Sequence, residues 1–130
     1  MEGVEGDSTP VMYIFVNDDL KMSKGQLVAQ CCHMAHLITH ERVTASYEEH
    51  PASDDTLSYL RWYKSCVKIV KRASSEKLHE LAKLPYARQF VEEASTGRNI
   101  YKYSLTVVGF LPRSPTAVQK DVDLNQFKLL

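Results

Sequence analysis

Residues 11–16 read VMYIFV, six consecutive apolar residues with β-branched and aromatic side chains. A strand with one wet face alternates apolar and polar positions, so an unbroken apolar run predicts a strand buried on both faces. That demands cover on each side of a sheet, and the rest of the chain supplies it as helical segments alternating with strands. At 130 residues the chain is long enough for one domain with a real core and too short for two.

The segments follow in order. Ser23 with Gln26 three residues later matches a capping box, opening a helix from Ser23 to about Ser46. Leu27, Cys31, Met34 and Ile38 give it an apolar stripe, which Val28 and Ala35 widen. Pro51 separates it from a short helix running from Asp54 to about Lys64, with Leu57, Leu60 and Trp62 or Tyr63 on its expected buried side. CVKIVKR (66–72) reads as a strand, and SSEKLHELAKL (74–84) as a helix capped by Ser74 or Ser75 and ending near Pro85. In ARQFVEEA (87–94), Phe90 and Val91 favour a strand while the alanines and glutamates favour a helix. A turn around Gly97 (Thr96 to Asn99), the strand YSLTVVGFL (103–111) and a short C-terminal helix complete an α/β chain with a mixed sheet.

Composition narrows the class. Hydrophobic residues make up 44% and charged residues 25%, the balance of a globular protein without a membrane span or a signal peptide, and an intracellular setting is expected. The three cysteines are an odd count, and adjacent Cys31 and Cys32 diverge on a helix, so buried reduced thiols are expected. Net charge is zero, but Glu2, Glu5 and Asp7 stand without a base in residues 1–10. This segment reads as a disordered acidic tail, and it leaves 13 acidic against 16 basic residues in the domain at 11–130.

Three groups of residues could carry chemistry. The turn DDLKMSKG (18–25) puts Lys21 and Lys24 beside a helix start, where free N–H groups favour an anion. It lacks the spacing of a nucleotide-binding P-loop. Gln26, Gln30, His33 and Leu37 share one helix face and could line a groove with those lysines, or form an ordinary polar face. His36 and His40 stand four apart and could share a metal, but no third ligand is placed beside them, so no metal is expected.

Together these residues resemble the archaeal and eukaryotic (type 2) peptidyl-tRNA hydrolases. NDDLKMSKGQLVAQCCH (17–33) is similar to the family's D-L-K-M-G-K-G-K and A-A-Q-C-x-H pattern. Trp62 followed by CVKIVKR, then SEKLHELAKL, SLTVVGFLP and the terminal FKLL, resemble its later motifs in the same order. The resemblance implies a three-layer α/β/α fold with a mixed four-stranded sheet, usually a homodimer, that hydrolyses the ester of peptidyl-tRNA in the cytoplasm without a metal or other cofactor. It implies that Lys21 and Lys24 approach the RNA backbone, with Gln30 and His33 on the groove wall. The implied catalytic set is a lysine, an aspartate and a threonine.

Only the threonine is kept, as Thr106. Gln26 replaces the lysine, and Glu93 replaces the aspartate, with Glu92 as the alternative because the segment leading to Thr106 is one residue longer. An amide donates a hydrogen bond but brings no charge, and charge-assisted bonds are about twice as strong. A glutamate still serves as a general base, one methylene further out. The substitutions therefore admit either retained hydrolysis or a catalytically silent module that binds the tRNA end or a protein.

Overall fold

A computed structural model describes residues 9–92 and 103–130. The acidic tail up to residue 8, the turn around Gly97 and Glu93 lie outside the described residues. Strand β1 (Met12–Asn17) leads through a 3-10 turn (Asp18–Leu20) to helix α1 (Lys24–Glu48), followed by α2 (Asp54–Tyr63) and β2 (Lys68–Ala73). Then come α3 (Ser75–Leu81), β3 (Ala87–Glu92), β4 (Ser104–Phe110), α4 (Pro115–Asp121) and a last 3-10 turn (Leu124–Gln126).

The strands form one mixed sheet in the order β2-β1-β4-β3, with β1 parallel to β2 and antiparallel to β4, and β3 antiparallel to β4. All six residues of β1 are buried, as its lack of alternation requires. Helix α1 packs on β1, β4 and β3 and carries α2 beside it. On the other face, α3 packs on β1, β2 and β4. There Phe15 meets the rings of Phe110 and Phe127 at centroid distances of 5.0 and 5.2 Å. The three layers bury a continuous core around β1 and β4. Gly109 lets α1 come close, since a Cβ there would run into Cγ and Sδ of buried Met34.

The expected stripe of α1 packs inward at Met34 and Ile38 and, partly buried against the core, at Leu27, Cys31 and Ala35, and the helix also buries polar residues beside it. Gln30, Met34, Ile38 and Arg42 are buried, whereas Val28 is exposed. The polar ends of this stripe are tolerated because each is hydrogen-bonded: Gln30 to Thr106 and Glu92, Arg42 to Thr56 and Glu41. Helix α2 likewise turns inward with Thr56, Tyr59 and Trp62, leaving Leu57, Leu60 and Tyr63 exposed. The rotation follows the polar anchors: Thr56 bonds both Arg42 and Glu49, and Trp62 Nε1 donates to the Val67 carbonyl at 2.7 Å. Cys66 takes a left-handed backbone (φ 56°) in the turn after α2, so β2 begins at Lys68 rather than at Cys66. The expected burial of the thiols fails for Cys32 and Cys66, which are exposed, while Cys31 is half-buried.

Candidate active site at the start of helix α1

The first turn of α1 is fixed by its own sequence. Ser23 Oγ accepts from the Gln26 N–H at 3.2 Å, and Gln26 Oε1 accepts from the Ser23 N–H at 2.8 Å, completing the capping box. Lys24 and Gly25 then hold the first two helical N–H groups, which have no acceptor one turn earlier in the helix. A Cβ on Gly25 would meet nothing within 4 Å, so this backbone is open to approach. Lys21 precedes it in a left-handed conformation (φ 52°, ψ 45°) that ends the 3-10 turn. Asn17 anchors that turn from within the sheet, donating to Ser75 Oγ and the Leu105 carbonyl and accepting from the Asp19 N–H.

One turn into the helix, side chains from three elements meet. Thr106 is wholly buried in β4, and its Oγ1 lies 2.6 Å from Gln30 Oε1. Gln30 Nε2 in turn lies 3.3 Å from Glu92 Oε1 at the end of β3. A carboxylate accepts only, so the Gln30 amide turns its N–H2 to Glu92 and its oxygen to Thr106, which must donate. The polarity of the whole line is thereby set. His33, exposed one turn further on, stacks on Phe90 with centroids 4.8 Å apart.

Thr106 reaches Gln30 because of a bulge. Phe90 pairs with Val107 and Val91 with Leu105, leaving Thr106 as an extra residue on β4. Gly109 faces α1, so strict alternation would turn Thr106 to the opposite face. The extra residue restores it to the α1 side, the kind of re-aiming that bulges commonly provide.

The expected site residues thus form two groups on either side of the first turn of α1. Gln30, His33 and Thr106 gather with Glu92 and Phe90, and Gln26 stands one helical turn before Gln30 on the same face. Lys21 instead lines a cleft of about 240 Å3 with Val16, Asp18 and Arg72, and Lys24 is exposed at the helix start. Gln30 lies deeper than a groove wall, as the central link between strand and helix. The spacing of Gln30, Met34, Ile38 and Arg42 at every fourth residue carried that signal in the sequence; Arg72 carried none. His36 and His40 are both exposed, and among the described residues no three His, Cys, Asp or Glu side chains converge as a metal site would require. No helix among the described residues is long and apolar enough to cross a membrane.

A family model described as peptidyl-tRNA hydrolase PTH2 matches residues 10–130. The chain belongs to the PTH2 family. No curated protein matches the chain significantly.

Within this PTH2 domain, β3 is tied to α1 by an ion-pair cluster behind the candidate site. Arg88 grips Glu41 with two hydrogen bonds of 2.6 and 2.7 Å, and Arg42 adds a third at 2.9 Å. The Arg88 hydrogen bond holds the Glu41 carboxyl below its ordinary value of 4.5, and the Arg88 guanidinium is raised in turn. A lowered carboxyl stabilises the fold fully above the unfolded-state value and is lost as pH falls through the folded-state value. Wild type is therefore expected to exceed Glu41→Gln in urea midpoint at neutral pH. That advantage shrinks as pH drops below 4.5, which paired urea titrations would read.

Proposed function

We propose that the protein hydrolyses the ester joining a peptide to the terminal ribose of tRNA, with Glu92 as general base. The observation that carries this is the hydrogen-bonded line from Thr106 through Gln30 to Glu92, which orients a carboxylate beside the start of α1. Glu92 takes a proton from water as the water oxygen bonds to the ester carbonyl carbon. The tetrahedral oxyanion then collapses, its bond to the ribose oxygen breaks, and that oxygen leaves with the proton. Thr106 is buried and acts through Gln30, so it is a positioning residue. Gln26 stands where the family pattern has lysine and offers the oxyanion an amide donor, while Lys21 and Lys24 supply positive charge to the RNA backbone. Gln30 and His33 mark the side of α1 along which the substrate's acylated end lies. Glu93 is the other carboxylate that fits the family's aspartate, and Glu93→Gln belongs in the same series. The family resemblance further supports a homodimer working in the cytoplasm without a cofactor.

Incubating purified protein with peptidyl-tRNA and resolving free tRNA from the charged form tests this directly. Turnover that collapses in Glu92→Gln supports the enzyme. Salt-sensitive tRNA binding without turnover would favour a silent tRNA-end module on the same fold, which the completed Ser23–Gln26 capping box also suits. Neither turnover nor binding would remove tRNA as the ligand.

A further inference from the structure

The cleft at the carboxyl ends of β1 and β2 is not used by the hydrolytic step. Arg72, on β2, reaches into it and donates from Nη1 to Asp18 at 3.2 Å and from Nε to the Leu129 carbonyl at 3.5 Å. No described residue takes a hydrogen bond from Nη2, and none pairs with the Lys21 ammonium that lines the same cleft. Val16, Met22, Leu27 and Leu130 give the cleft apolar patches within a lining that is otherwise polar and includes Asn17. The other carboxylate of the turn, Asp19, accepts the Ser75 N–H at 2.8 Å. Among the side chains that line the cleft, two cations, Arg72 and Lys21, therefore face one carboxylate, Asp18. The Arg72–Asp18 pair is 44% and 43% exposed in its side chains, a wet ion pair that holds its partners weakly.

We infer that this cleft binds a phosphodiester of the tRNA acceptor strand between Arg72 and Lys21, with Asp18 as the counterion that the phosphate displaces. The inference rests on the tRNA-hydrolase reading above and deepens it by naming a second contact on β2. Guanidinium presents a planar fork that matches two phosphate oxygens, and Lys21 adds a point charge. In the unbound protein Asp18 occupies Arg72 and parks the fork at the cleft mouth. Its own charge opposes the phosphate, so it sets the affinity downward. Gly25, whose backbone is open to approach, lies in the chain between Lys21 of this cleft and Gln30, which holds Glu92.

Opposite signs make the test specific. Binding of labelled deacylated tRNA would be measured over a salt series for wild type, Arg72→Gln, Lys21→Gln and Asp18→Asn. Arg72→Gln and Lys21→Gln should each weaken binding about three- to tenfold at low salt and reduce the slope of log K against log salt by about 0.7 to 1. Asp18→Asn should tighten binding about twofold or more, a gain that damage to the fold does not produce. Wild type that binds tRNA while Arg72→Gln matches it in affinity and slope overturns the inference, as does weaker binding by Asp18→Asn. Wild type that shows no salt-sensitive tRNA binding overturns the tRNA reading itself.

Discussion

Replacing Glu92 with glutamine should lower single-turnover hydrolysis of peptidyl-tRNA by about 10²- to 10⁴-fold, the range a positioned general base contributes. The fold should survive, because glutamine keeps the shape of the side chain and can still turn a carbonyl oxygen toward Gln30 Nε2. What it loses is the capacity to take a proton. Thr106→Val should give a smaller loss than Glu92→Gln, because the valine removes the donor that fixes the Gln30 amide but leaves the carboxylate. The two substitutions should also be non-additive, since both act through one hydrogen-bonded line. If Glu93→Gln abolishes turnover while Glu92→Gln retains it, the base is Glu93. Quench-flow rates for the three single variants and the Glu92/Thr106 pair distinguish these outcomes.

The second large effect is a gain. Gln26→Lys should raise turnover by about 10- to 100-fold, because a cation near the developing oxyanion replaces a neutral donor. The same change should lower stability by about 0.5–1 kcal/mol, because Gln26 Oε1 is the acceptor for the Ser23 N–H and lysine accepts nothing. A shift of a few degrees in melting temperature would accompany the faster rate. This trade of stability for charge separates an electrostatic role at position 26 from a structural one. An unchanged rate with the stability loss intact would mean that Lys21 or Lys24 already supplies the charge.

Much of the fold was legible because local signals agreed with the tertiary demand. VMYIFV could only be an interior strand, and it is the buried β1 beside β2 and β4. Ser23 and Gln26 announced the start of α1, and the box they form is present. β3 was ambiguous because Glu92 and the alanines carry helix propensity; pairing with β4 settled it as a strand. The inward face of α2 was misjudged, and that of α1 lacked its buried polar residues, for a shared reason. Apolar periodicity cannot anticipate that Gln30, Arg42 and Thr56 are buried when other elements supply their hydrogen-bond partners.

The candidate site followed the same division. Thr106 was implied by the family resemblance and the α1 residues were named from their spacing, but their mutual arrangement was not, since it depends on one extra residue in β4 that re-aims Thr106. Arg72 went unremarked because a basic residue in a strand beside lysines reads as a solvated edge. Only the parallel pairing of β1 with β2, which brings Val16 and Asn17 alongside Arg72 and Ala73, sets it beside Asp18 and Lys21.

The most direct measurement is a single turnover on peptidyl-tRNA in water enriched in oxygen-18, with mass spectrometry of the products. Attack of a water activated by Glu92 on the ester carbonyl predicts one heavy oxygen in the carboxyl group of the released peptide and none in the tRNA. No release above the protein-free rate, or the heavy oxygen appearing in the ribose or in a carboxylate of the protein, would contradict it.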